Sequence, residues 1–191
     1  MRVLVACEFS GIVREAFAKR GHDAWSCDLL PTEIPGQHYQ GDIMELLNND
    51  LNWDLMIAHP PCTRLANSGV QWLHRRQLWD EMREGATFFT VLWWMKHSIK
   101  KVCIENPIPH KYALKIIGDK YTQIIHPWQF GHGESKATCL WLSGLPKLQP
   151  TNIVEGREQR LHKLPPGPDR WKLRSMTYPG IADAMAEQWG E

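Results

Sequence analysis

Two side chains in this sequence have the chemistry to attack and to protonate one and the same molecule. Cys62 stands in Ala58-His59-Pro60-Pro61-Cys62-Thr63-Arg64, directly after the short apolar run Trp53-Asp54-Leu55-Met56-Ile57. That run reads as a buried strand, and two prolines cannot continue a sheet ladder. Cys62 is then the first reactive side chain past the carboxyl edge of a central strand, the edge where open α/β sheets bind ligands. A buried structural cysteine is the competing reading; the flanking prolines and the polar run 63–69 weigh against it. Glu105 lies 43 positions further on and opens Glu105-Asn106-Pro107 at the end of the next apolar run. A carboxylic acid converging on a thiol suits an aromatic heterocycle that is attacked at carbon and protonated at nitrogen. A glutamate that merely caps the segment beginning at Pro107 is the alternative.

Three further acids fall at strand ends before Cys62. Glu8 adjoins Phe9-Ser10-Gly11 at the first strand-to-helix turn, where glycine lets a ligand approach the backbone and the helix N-terminus. Asp28 ends the second strand, where an acid can hold ribose hydroxyls. Asp42, in Gly41-Asp42-Ile43, can accept from an adenine amino group. Each alone reads equally as a loop charge or helix cap. Three in succession on the first half of a doubly wound sheet point to a nucleoside site. A full G-x-G-x-x-G is missing, which counts against a dinucleotide, and so is a Walker A lysine loop, which counts against a nucleoside triphosphate.

The elements that must position these residues alternate strand and helix. Strands are expected over residues 3–7, 23–27, 53–57, 101–105, 121–126 and 137–142. Helices are expected over 11–20, from 43 to about 49, from about 71 to 97, near 110–117 and over 181–189. In the first helix Val13, Ala16 and Phe17 form the apolar face, with Arg14, Lys19 and Arg20 opposite. Gly21 ends that helix. Repeated βα units imply an α/β fold with a doubly wound, mostly parallel sheet. A chain of 191 residues suits one domain with a sizeable core. Five cysteines, odd in number and with no C-x-x-C pair, fit reduced thiols and no metal cluster. The first residues read as a strand and not a signal peptide. The apolar run 88–95 is too short to span a bilayer. These features lead to an expected cytoplasmic location, with no membrane partner. Most of the ten tryptophans read as core, with base stacking open for one or two.

With these residues in place, the chain resembles the DNA cytosine-C5 methyltransferases, especially compact, phage-type members, over most of its length. Phe9-Ser10-Gly11 looks like that family's F-x-G cofactor turn, Pro60-Pro61-Cys62 like its Pro-Cys loop, and Glu105-Asn106-Pro107 like its Glu-Asn motif. Lys136 with Thr138 stands where the family carries an R-x-R pair, and Pro179 to Met185 resembles the helix that completes the cofactor pocket. Ile12 and Val13 replace further glycines of the turn, and Thr63 replaces the glutamine after the catalytic cysteine. The resemblance implies a Rossmann-like, S-adenosylmethionine-dependent fold. It implies Cys62, Glu105 and Lys136 as catalytic residues, and Glu8, Phe9, Ser10, Gly11, Asp28, Asp42, Ile43, His59 and Pro60 at the cofactor. Cys62 would add to cytosine carbon 6, with Arg64 among the cations that lower its pKa, and Glu105 would hydrogen-bond or protonate nitrogen 3. A cytosine in duplex DNA must be flipped out or already single-stranded.

A core over residues 1–144, a basic proline-rich stretch over 145–177 and a helix over 178–191 returning to the core make up the expected organisation. The 33 residues of the middle stretch hold five prolines and two glycines, too few ordered positions for a full target-recognition domain. Within residues 157–174, Arg157, Arg160, Lys163, Arg170, Lys172 and Arg174 stand against only Glu158 and Asp169. With Arg64, Ser68, Arg75 and Arg76 they are the expected DNA contacts, the alternative being a solvated basic loop. Phosphate contacts position without reading sequence, so relaxed sequence context is expected. The chain lacks the C-x5-R of tyrosine phosphatases, since Ser68 occupies the arginine position. His59 and Cys62 also break the D/N-P-P-Y/F/W of amino-methyltransferases. A C5-modifying enzyme acting on free pyrimidine nucleotides, and a non-catalytic DNA-binding relative, stay open as alternatives.

Overall fold

Strands that are buried on both faces can be apolar throughout, and the run Leu55–Ala58 is, with all four residues buried. The computed structural model describes residues 1–49, 51–168 and 170–191; Asp50 and Asp169 lie outside the described residues. The strands are β1 (Arg2–Ala6), β2 (Asp23–Asp28), β3 (His38–Gln40), β4 (Leu55–Ala58), β5 (Lys101–Pro107), β6 (Gln123–Ile125) and β7 (Thr138–Ser143). The helices are α1 (Ile12–Ala18), α2 (Ile43–Asn49), α3 (Val70–Arg76), α4 (Trp79–Trp94), α5 (Lys111–Ile117), α6 (Arg160–Lys163), α7 (Arg170–Ser175) and α8 (Pro179–Trp189).

The strands form one sheet in the order β3-β2-β1-β4-β5-β7-β6. The first five run parallel, and β7 pairs antiparallel with both β5 and β6. Alternation along each strand divides the core between the two faces. Leu4, Ala6, Met56, Ala58 and Ile104 face a cluster completed by α2, α4 and α5. Val3, Val5, Leu55, Ile57 and Leu140 face another, completed by α1 and by Ile181, Met185 and Trp189 of α8. The chain leaves β1 first towards β2 and later returns beside β1 as β4. The crevice above the carboxyl ends of β1 and β4 is therefore the topological switch point. The expected α/β, doubly wound, mostly parallel architecture is what the chain adopts.

Four local expectations are corrected. The helix expected over 71–97 is broken: α3 ends at Gln77, which is left-handed at φ 53°, and α4 starts at Trp79. Neither glycine nor proline marks the break. It lets Trp79 pack edge-on against His74 at 4.8 Å and Tyr112 at 5.2 Å. In a continuous helix, positions five apart point about 140° away from each other, so the turn makes this cluster possible. Arg14 is fully buried, not on a solvent face. Its guanidinium donates to Ser26 Oγ (3.1 Å), Thr32 Oγ1 (3.2 Å) and the Ile34 carbonyl (2.6 Å), closing the 31–36 loop onto α1. The sheet edge β3 and the short helices α6 and α7 also lie where only loop was expected.

Candidate active site

The carboxyl end of β1 turns sharply. Cys7 takes the left-handed conformation at φ 58° and Gly11 at φ 73°. A Cβ on Gly11 would stand 2.7 Å from the Arg14 guanidinium, so glycine is required there. Between them Glu8 is 5 % exposed and accepts from the backbone N–H groups of Val13 (2.7 Å) and Arg14 (3.2 Å) and from Ser10 Oγ (3.2 Å). Glu8 thus satisfies the open N–H groups at the start of α1, and its oxygens are engaged before any ligand arrives. Burial pushes its pKa up, against the opposing charge of His59 and the hydrogen bonds it accepts. Phe9 and Ser10 are buried beside it.

Asp28 and Asp42 come together at the same edge. Both act electrostatically on the Cys7 thiol, whose pKa is raised by burial first and by Asp28, Cys27 and Asp42 in turn. Asp28 Oδ1 accepts from the Leu30 N–H at 3.0 Å, and Asp42 Oδ1 from the Met44 N–H at 2.9 Å, which starts α2 with Ile43 buried behind it. Each carboxylate keeps a second oxygen. Two acids around a glycine-bearing turn at the switch point suit the hydroxyls and amine of a nucleoside.

The loop after β4 is held by the segment that leaves β5. The Asn106 amide donates to the Pro60 carbonyl at 3.1 Å, the His110 N–H to the Leu65 carbonyl at 3.0 Å, and the Asn67 N–H to the Ile108 carbonyl at 2.8 Å. His110 Nε2 lies 2.9 Å from the Arg64 carbonyl, while its Nδ1 accepts from Ala113 N–H at the head of α5. Cys62, half-buried, receives the Leu65 and Ala66 N–H groups on its carbonyl, each at 2.9 Å. Glu-Asn-Pro is therefore the segment that fixes the Pro-Pro-Cys loop, as well as the source of an acid.

Glu105 and Lys136 both act by charge on the Cys62 thiol. Burial and then Glu105 raise the thiol pKa; Lys136 and Arg174 lower it. Arg64 is not among these cations: it pairs with Glu81 at 2.7 Å, which corrects the expectation that it activates the thiol. Burial would raise the pKa of Glu105. His59, by a 2.9 Å contact from Nδ1 to Oε2 and by its charge, then Lys136 and a hydrogen bond from Thr138, more than offset it and hold the carboxyl below its ordinary range. A small cavity of about 10 Å³ opens among Glu105, Lys136, Thr138, Met176, Tyr178 and Ile181, room for roughly one water. Gly180, at the head of α8, abuts this wall; a Cβ there would overlap the Phe130 carbonyl.

The expected DNA contacts divide. Ser68 lies exposed in a 3-10 turn (Asn67–Gly69) ahead of α3. Arg75 and Arg76 are exposed on α3, their guanidiniums 5.5 and 4.9 Å from the Trp72 ring. Arg157 donates to the carbonyls of Val154 (2.7 Å) and Gly156 (2.6 Å) and covers the Trp128 ring at 3.8 Å. Arg160 pairs with Glu158 at 3.2 Å, next to buried Glu134, which accepts from the Arg160 and Leu161 N–H groups. Lys163 is exposed at the end of α6. On α7, which Arg170 begins, Lys172 pairs with Glu33, Trp171 packs on Phe9 at 5.7 Å, and the Arg174 carbonyl accepts from Lys136 at 2.9 Å. The basic stretch thus lies over the rim, between the Phe9 turn and the Cys62–Glu105 pocket. The sequence carries no local sign of this, because Lys172–Glu33 and Trp171–Phe9 join residues far apart in the chain.

No helix among the described residues is long and apolar enough to cross a membrane. No family model matches the sequence, and no curated protein sequence matches it. Solved structures do match. One is a protein encoded within an E. coli prophage and described as a DNA modification methyltransferase, with 15 % identity over 86 % of this chain and 55 % of that one, at a TM-score of 0.49. Another is the Entamoeba histolytica methyltransferase EhMeth, with 16 % identity over 83 % of this chain and 57 % of that one, at a TM-score of 0.50. This chain spans somewhat over half the length of either. What is shared at such identity is the fold, a Rossmann-like, mostly parallel α/β sheet with flanking helices.

Proposed function

We propose that this chain transfers a methyl group from S-adenosylmethionine to carbon 5 of cytosine in DNA through a covalent Cys62 adduct. The observation that supports this reading is that Glu105 and Lys136, from two other segments, lie close enough to the Cys62 thiol to act on it by charge. Cytosine carbon 5 is a poor nucleophile until a thiolate adds at carbon 6 and makes it enamine-like. Glu105 stabilises the charge that builds on nitrogen 3. Lys136 opposes the rise in the Cys62 pKa that burial and Glu105 cause, and so favours the thiolate. S-adenosylmethionine supplies the electrophilic methyl. Asp28 would take its ribose hydroxyls and Asp42 its adenine amine, with Phe9, Ser10, Gly11, Ile43, His59 and Pro60 walling the crevice and Glu8 holding α1 beneath it.

The stretch over 145–177 contains only short helices, and each good base-edge contact discriminates by about 1–3 kcal/mol. By that arithmetic the enzyme reads about one to three bases. Mass spectrometry of nucleosides from plasmid DNA incubated with protein and cofactor tests the reading. 5-Methyldeoxycytidine, spread by bisulfite sequencing over many short contexts, is the expected result. Methylated free deoxycytidine nucleotides with unmodified DNA would move the substrate to the free-nucleotide reading.

A further inference from the structure

His59 ends β4 on the axis of the sheet, its N–H donating to the Ala6 carbonyl at 2.9 Å. Its ring is 9 % exposed and stands between two buried carboxylates. Glu105 Oε2 lies 2.9 Å from Nδ1, and Glu8 acts on the ring by charge from the β1 turn. Nε2 is buried without a hydrogen-bond partner, and a buried polar atom left unpaired calls for an explanation. Nδ1 is the ring nitrogen that meets the Glu105 carboxyl, the contact along which a proton can pass.

The proposed reaction needs such a group. Glu105 is kept ionised by its neighbours, and a carboxylate has no proton to give nitrogen 3. Resting on the cytosine reading, we propose that His59 is the positioning residue that holds the proton Glu105 lends to the pyrimidine ring. The Cys62 thiol gives its proton to solvent and its sulfur bonds to carbon 6. The carbon 5–carbon 6 π pair is displaced through carbon 4 onto nitrogen 3, which takes a proton from Glu105; that proton reaches the carboxylate from Nδ1 of an imidazolium His59, whose Nε2 keeps its own. Once carbon 5 has taken the methyl group, the nitrogen 3 proton returns along the same path. A solvent water then takes the carbon 5 proton, the freed pair restores the carbon 5–carbon 6 double bond, and the sulfur leaves as thiolate, with both residues as they began. The other groups interacting with the pair are Glu8 from the turn after β1, Cys62 from the β4 loop, Cys103 from β5, and Lys136, Thr138 and Cys139 from β7 and the residues before it.

His59→Asn tests this, because an amide keeps a donor towards Glu105 and cannot supply a proton. The turnover of wild type and variant on cytosine-containing DNA is measured from about pH 6 to 9, with circular dichroism and a thermal melt as the control for folding. A positioned acid contributes on the order of 100-fold or more, so kcat should fall by about 100-fold while KM for DNA stays within about threefold. The alkaline fall in kcat should move to lower pH by about one unit or more, because the only remaining proton would sit on Glu105. A merely structural role would leave that limb in place. A folded His59→Asn protein with unchanged kcat and pH profile overturns the inference. If that variant does not fold, His59→Gln is read by the same criteria. A wild type that leaves DNA unmethylated overturns the cytosine reading itself, an outcome visible before any variant is made.

Discussion

The rim over β1, β4 and β5 and the basic stretch over 157–174 both carry polar residues, yet they are built in opposite ways. On the rim, buried polar side chains are held by neighbouring segments: Glu8 by the start of α1, Asn106 by Pro60, Glu105 by His59 and Thr138. On the stretch, the cations lie at the surface, and several are engaged with the protein itself. Buried hydrogen-bonded groups are costly to misplace, whereas exposed ion pairs contribute about 0–1 kcal/mol. The rim therefore has one geometry and fixes chemistry; the stretch can rearrange and tunes what reaches that chemistry.

The sharpest break of this contrast is Cys62→Ala. Methyl transfer to DNA should drop to the detection limit, because the proposed adduct forms on the Cys62 sulfur, while cofactor binding at the β1–β4 crevice stays intact. Tritiated methyl incorporation and calorimetry read the two separately, and 5-fluorocytosine DNA should trap the wild type covalently. A full-rate Cys62→Ala protein would end the covalent reading.

Glu105→Gln comes next, with a loss of about 10²–10⁴-fold in kcat. It also has a pH signature. Burial opposes the ionised carboxyl, but His59, Lys136 and Thr138 hold its folded pKa below the ordinary range. Its contribution to stability is then present above the ordinary carboxylate pKa and is lost as pH falls through the lower folded value. The acid limb of a Tm against pH curve should flatten in Glu105→Gln; an unchanged limb would mean that His59 does not hold the carboxyl ionised.

These rim residues were legible in the sequence because their signals are local. Pro60 and Pro61 stop a strand, and Glu105-Asn106-Pro107 ends another. Continuous apolar runs mark strands buried on both faces, and the sheet and its switch point come from them. The hidden features depend on distant partners. Arg14 reads as solvent-facing because the carbonyls that bury it belong to the 31–36 loop. The break at Gln77 has no glycine or proline, and its cause, Tyr112, is 35 positions away. His59 looked like one more crevice residue until β5 brought Glu105 against it.

Within the rim, Asp28→Ala separates cofactor from chemistry. Losing a charged acceptor should weaken S-adenosylmethionine binding by about 1–3 kcal/mol, with kcat at saturating cofactor little changed. Calorimetry showing unchanged affinity would move the ribose site off β2.

The smallest effects belong to the stretch, where two arginines should part company. Arg157 donates to the Val154 and Gly156 carbonyls and covers Trp128, so its head is occupied by the protein. Arg174 is exposed on α7, near enough to the pocket to lower the Cys62 pKa. A phosphate contact contributes roughly one unit to the slope of log affinity against log salt. Arg174→Ala should therefore flatten that slope by about one unit and weaken DNA binding alike on every sequence. Arg157→Ala should leave the slope unchanged and lower Tm instead, because packing and two hydrogen bonds are lost. Fluorescence anisotropy across a salt series and a thermal melt measure both variants. If Arg157→Ala flattens the slope and Arg174→Ala does not, the stretch meets DNA through its other end, and α7 serves only to cover the rim.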